Sequence, residues 1–230
     1  MELKYPRISS GIKFIYASWW CSLLSVVAGI ISTMLAWSAM RSNIDVWIAM
    51  GLETVLYGLQ VVGFCRAAKE DKRYKKVYYM LVAELIIVAV VLVVTIMQYY
   101  LLFIICGIVG GLVCAVLEPL RLYLFVKYTE DLVQQNGDAG VNGYTRVIRN
   151  CYIICYGGVF AGGFVTGMES LFWLGMILVI AAVFSALALY IFYGIFLCKT
   201  NDFFKKLEKT ERNTSWEEFN SQQLERLFFK

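Results

Sequence analysis

Six side chains in otherwise apolar stretches carry the chemistry open to this sequence: Glu53, Tyr57, Gln60, Glu84, Glu118 and Arg121. A charged side chain at the centre of a membrane helix costs about 2.5–3.5 kcal/mol on insertion scales, so such residues face a bundle interior, a partner or a water-filled space. Glu53 lies near the middle of its apolar stretch, and Tyr57 and Gln60 follow at +4 and +7. Helical periodicity puts those three on one face, and that polar stripe is expected to point into a bundle. Glu84 lies seven residues into the next apolar stretch. Two readings follow: a buried polar clasp between helices, or a proton- or cation-responsive site.

Glu118 and Arg121 sit in "LEPLRLY", residues 117–123. Pro119 has no N–H to donate and disfavours helix at the residue before it. The chain is therefore expected to end or kink its helix there, with Leu120–Leu132 continuing as a separate helix along the membrane face. Glu118 and Arg121 are expected near the cytoplasmic boundary. There they either snorkel or pair as interface residues, or line a cytoplasmic vestibule.

The elements that position these residues are set by composition. Of 230 residues, 60% are hydrophobic and two are proline, against about 45–50% apolar in soluble domains. The excess falls into six runs: Phe14–Met40, Ile44–Cys65, Val77–Met97, Leu101–Val126, Val147–Thr166 and Leu171–Cys198. Each is close to the ~20 residues a helix needs to cross a bilayer. The runs are apolar all round, unlike the alternating strands of a barrel. The first is too long for a signal-peptide core and lacks a cleavage pattern, so it is expected to be kept.

Lys and Arg cluster at the N-terminus, in "RAAKEDKRYKK" after the second run, around Lys127 and Arg146–Arg149, and in the tail. "RSNI", "QYY" and "GMES" are nearly bare. Basic connections face the cytoplasm. The expected fold is all-α: six transmembrane helices as three antiparallel hairpins, with both termini inside. That divides the chain into a transmembrane domain, 1–200, and a cytoplasmic amphipathic tail, 201–230. In the tail, Ser215 and Glu218 have the spacing of a capping box, which predicts a fresh helix start. The loop 127–146, with "QQNGDAGVNG", has a flexible turn composition. Its expected role is that of a linker.

Small residues predict where helices meet. They form a seam at Ser18, Ser22, Ser25, Gly29, Ser32 and Ala36, a stripe at Gly107, Gly111 and Ala115, and two GxxxG patterns, Gly158–Gly162 and Gly163–Gly167. Ordinary packing within one bundle is the expectation, with a dimer face as the alternative.

There is no histidine, which excludes histidine-dependent proteases and bis-histidine haem. The seven cysteines lie within or at the ends of the apolar runs and read as small hydrophobes. No P-loop, Rossmann or nucleophile-elbow pattern occurs. No enzyme, cofactor or metal site is expected, and no nucleic-acid partner. The segments "GIKFIYASWWCSLLSVVAGI", "GLQVVGFCRAAKEDKRYKK" and "LYLFVKYTEDL…GDAGVNGYTRVIRNCYII" resemble those of small six-span bacterial membrane proteins of unknown function. The resemblance implies a bacterial cytoplasmic membrane and transfers no site residue. The expected function is transport of a small solute or ion through a polar interior. The alternative is a non-catalytic scaffold or regulatory subunit. Expected partners are the lipid bilayer and a second membrane protein or another copy of the chain.

Overall fold

The structure, a computed structural model, describes residues 5–37, 44–97, 100–137, 140–167 and 171–228; side chains are not described for 28–37, 44–50, 95–96, 100–101, 103 and 211–228. Six helices follow one another: α1 Pro6–Trp37, α2 Ile44–Glu70, α3 Arg73–Ile96, α4 Tyr100–Gln135, α5 Tyr144–Thr166 and α6 Phe172–Phe228. Among the described residues, four stretches are long and apolar enough to cross a membrane: Arg73–Val94, Ile104–Gln135, Tyr144–Thr166 and Phe172–Thr210.

Local chemistry sets the helix ends. Pro6 opens α1, where its missing N–H would have had no intrahelical acceptor in any case. The Ile8 amide then donates to Glu70 Oε2 at 2.6 Å, so the last residue of α2 caps the first turn of α1. Burial pushes the Glu70 carboxyl above its usual range, while the Ile8 and Arg7 amides pull the other way. Asp71 starts α3, accepting from the Arg73 amide and from Arg73 Nε, each at 2.8 Å.

The loop before α5 is organised by a residue that sequence reading passed over. Glu130, in the last turns of α4, is 6% exposed. It accepts from the Gly143 amide at 2.5 Å, from the Thr145 amide at 2.9 Å, and from the Thr145 hydroxyl. Gly143 has φ 88° and offers no side chain of its own to cap α5, so α4 supplies the cap across the loop. Lys199 of α6 donates to the Gly140 carbonyl at 3.2 Å, and Val141 is buried in the core. The segment expected to be a plain linker is thus clamped on both sides. Glu130→Ala should lower stability by about 1–2 kcal/mol, the upper range for losing an N-cap. Chemical denaturation of detergent-solubilised protein measures it, and an unchanged midpoint would show that the cap contributes nothing.

Two expected helix boundaries are absent. α4 runs unbroken through Pro119, and Leu120–Leu132 is its continuation rather than a separate surface helix. The proline removes one ladder bond; the buried residues that follow it, Arg121, Phe125 and Val126, anchor the helix in the core. α6 is likewise continuous through Ser215. Its 57 residues span about 85 Å at 1.5 Å per residue, so it extends well past any ~30 Å hydrocarbon layer. No Gly or Pro interrupts 195–228. A capping-box spacing alone cannot end a helix that already has its i−4 partners.

Neighbouring helices pack most closely in the pairs α1 with α2, α3 with α4 and α5 with α6. A Cβ at Gly11 would lie 3.3 Å from the Ala67 amide, and one at Gly63 2.8 Å from the Gly11 carbonyl. This backbone contact, rather than the serine seam, joins α1 to α2 in the described region. Gly158 meets Ala182, and Gly162 meets Val179 and the Gly175 carbonyl, which joins α5 to α6. Gly163 has nothing within 4 Å, and neither do Gly107 and Gly111 of the expected α4 stripe; Gly110 packs on Ile87 instead.

Burial is concentrated at one end of the molecule. Ile8, Ile12 and Ile15 of α1, Phe64 of α2, Tyr74, Val77 and Leu81 of α3, Phe125 of α4, Ile148 of α5 and Phe196 of α6 form a continuous core. Phe125 is its hub, with ring centroids 5.2 Å from Phe64, 6.2 Å from Tyr74 and 6.3 Å from Phe196. The basic segments flank this end. Further along each helix the apolar side chains point outward: Ile86 to Val93 on α3, Ile104 to Val116 on α4, Trp173 to Leu187 on α6. Water penalises contiguous apolar surface of that extent, whereas acyl chains do not.

Candidate functional site

The core ends in every helix at about the same level, and a cavity of about 200 Å³ lies immediately beyond it. Four register relations place it. Ser18 follows Ile15 by one turn on α1, Gln60 precedes Phe64 on α2, Arg121 precedes Phe125 on α4, and Tyr152 follows Ile148 on α5. The i,i+4 spacing of Arg121 and Phe125 puts both on one face of α4. The guanidinium therefore rests on the aromatic core, 5.9 Å above the Phe64 ring.

Arg121 is buried and draws three helices together. Its Nε donates to Glu84 Oε1 at 3.0 Å and its Nη1 to Gln60 Oε1 at 3.1 Å. The two charged side chains are 9% and 8% exposed. Glu118 lines the same cavity, and its side chain is exposed. Among the described residues no cation lies within ion-pair distance of it. Tyr57, one turn from Gln60, packs against the core edge. Glu53 departs from expectation: its side chain is exposed and does not join the Arg121 cluster. Glu53 lies about two turns before Gln60 on α2, beyond the level where the helices close.

Glu118 and Arg121 therefore part company. Arg121 is paired with Glu84, one of the expected alternatives, and the core of Phe64, Phe125 and Phe196 closes the basic end beneath it. Glu118, three residues earlier, stays open to the cavity.

Sequence reading missed the aromatic walls. Trp19 of α1, Tyr152 of α5, and Tyr190 and Tyr193 of α6 line the space. Trp19 stacks on Tyr190 at 5.3 Å, and the Tyr190 hydroxyl donates to the Trp19 carbonyl at 3.1 Å, tying α6 to α1. The close fit depends on Gly194, where a Cβ would come within 2.6 Å of Trp19 Cε2. The available signal was the grouping of the tyrosines: Tyr152, Tyr190 and Tyr193 all lie within apolar runs, toward the basic end of each. The seven cysteines are free thiols. Among the described residues no three His, Cys, Asp or Glu side chains gather where they could hold a metal ion.

The arrangement can hold charge and orient a small molecule. It offers an internally compensated ion pair, an open carboxylate and aromatic faces, and it pairs no nucleophile with a base. Together the helices and the site define a class: an all-helical membrane protein whose buried ion pair borders an internal cavity. Comparison with protein-family models, with curated proteins and with solved structures finds no match for this chain.

Proposed function

We propose that this chain is a multi-pass protein of the cell membrane that carries a small solute or ion through the cavity beside Arg121. In this reading all six helices span the bilayer as three antiparallel hairpins, and both termini face the cytoplasm. The alternation of basic and bare connections supports that threading. The closed core then forms the cytoplasmic gate, and solute release requires the Phe64–Phe125–Phe196 contact to open.

One observation carries the proposal: a polar cavity persists at a level where packing alone would have filled the bundle. A ligand screen by thermal shift on the detergent-purified chain tests it, using sugars, amino acids, organic anions, organic cations and inorganic ions. At least one class should raise the midpoint. Ala186→Leu, which projects a larger apolar side chain into the cavity, should abolish that rise. If no class shifts the midpoint, the transport reading fails.

A second reading rests on a different feature. An apolar groove of about 470 Å³ runs between α4 and α5, lined by Val116, Pro119, Tyr123, Ile153 and Phe160. A scaffold or regulatory subunit would present such a groove to a partner membrane protein, and it would give no response in the screen.

A further inference from the structure

We infer that the cavity beside Arg121 is selective for small organic cations, alkylammonium compounds above all. The inference rests on the reading of that cavity as a solute site and adds its ligand class.

Charge comes first. The cavity lining carries Arg121 and Glu118, and the Arg121 charge is already compensated by Glu84, which lies outside the lining. Arg121 is the obvious attraction for an anion, yet its Nε is committed to Glu84 and its Nη1 to Gln60. Glu118 has no such commitment among the described residues, and its side chain is exposed. The excess field in the cavity is therefore negative, and it is centred on α4 one turn from Arg121.

The walls agree with the charge. Trp19, Tyr152, Tyr190 and Tyr193 come from three different helices, so they enclose the space rather than form a single stack. Aromatic faces attract cations through the ring quadrupole, and tryptophan and tyrosine do so best. The effect grows where the bound cation displaces water from the rings. An alkylammonium ion suits such a site because its methyl groups spread the charge over an apolar surface. A bare inorganic cation would instead demand several oxygen ligands converging on one point, and of the lining oxygens Gln60 Oε1 is already engaged by Arg121. Size narrows the class further, since about 200 Å³ is below the roughly 300–1,000 Å³ of sites for drug-sized ligands.

The test compares choline with its uncharged carbon isostere, 3,3-dimethyl-1-butanol, on the detergent-purified full chain. Thermal midpoint and intrinsic tryptophan fluorescence are read at constant ionic strength, with sodium chloride as the salt control. Choline should bind at least tenfold more tightly than the isostere. Glu118→Gln should weaken choline at least tenfold. Tyr190→Leu should weaken it several-fold, which keeps the proposal open to test if the Glu118 variant fails to fold. Equal binding of choline and the isostere overturns the cation inference. So does a response to acetate or phosphate without one to choline. In that second case, if Ala186→Leu blocks the anion response, the solute-site reading stands and only the ligand class falls. A flat response to every solute removes both.

Discussion

Glu84→Gln is expected to destabilise the protein by about 3–5 kcal/mol, the range for stranding one member of a buried ion pair. Arg121 stays charged when its partner is gone, because a guanidinium does not lose its proton in proteins. It rests on the Phe64 ring at the top of the closed core and its side chain is 9% exposed, so the charge left behind is poorly hydrated. Arg121→Met should cost less. The stranded group is then a carboxylate, which a proton can neutralise, and methionine fills much of the arginine stem's volume. The double variant Glu84→Gln/Arg121→Met should recover most of the loss, since a neutral pair of similar volume is often as stable as a buried salt bridge. Glu53→Gln is the control: an exposed side chain outside the cluster should change stability by no more than about 0.5 kcal/mol. Unfolding midpoints of the four variants decide it. Additive losses in the double variant would mean that Glu84 and Arg121 are not coupled across the 3.0 Å contact.

How far the sequence could be read follows from the range of each interaction. Apolar runs of about one bilayer thickness are local, and each lies largely within a helix, although α1, α4 and α6 extend eight or more residues beyond the run at the basic end. Gln60, Glu84 and Arg121 stood out because membrane helices tolerate few such residues. Their meeting was not visible, because it depends on the register of α2, α3 and α4 across 37 and 61 residues of chain. Glu53 shows the converse. Its spacing to Gln60 fixed a common helix face, but where the bundle closes along α2 is a tertiary property, and Glu53 lies outside the closed part. Pro119 and Ser215 misled for one reason. Both are local end signals, and both are overridden where flanking turns are secured, by the core around Phe125 in α4 and by unbroken helix-forming sequence in α6. Glu130 escaped notice because a cap supplied from another helix leaves no short-range pattern. The cavity walls were legible in principle: three tyrosines inside apolar runs need a polar or aromatic neighbour, but periodicity alone cannot say they share one space.

Two adjacent glycines of α5 give the clearest contrast in packing. Gly162→Ala should destabilise the chain by about 1–3 kcal/mol, the usual cost of overfilling a packed contact, and Gly162→Leu should do so by more. A Cβ at 162 would lie 2.8 Å from Val179 Cγ2, 3.0 Å from the Gly175 carbonyl and 3.1 Å from the Val179 amide. Two of those three atoms are backbone, so no rotamer change relieves the clash, and α5 must move away from α6. That separation would also loosen Gly158 from Ala182, where the next contact of the same pair is made. Gly163→Ala meets nothing within 4 Å. Alanine replaces a helix-weakening glycine there, so it should be neutral or gain up to about 1 kcal/mol. Sequence treats the two positions alike, since each belongs to a GxxxG pattern; the rotation of α5 against α6 separates them. Denaturation in mild detergent with increasing SDS measures both. Equal damage from Gly162→Leu and Gly163→Leu would mean that the open face of α5 is itself covered, by a second copy of the chain, and a concentration-dependent midpoint would accompany it. Damage confined to Gly162 assigns the small-residue seam to the α5–α6 contact within one chain, and the exposed glycine face is then left to lipid.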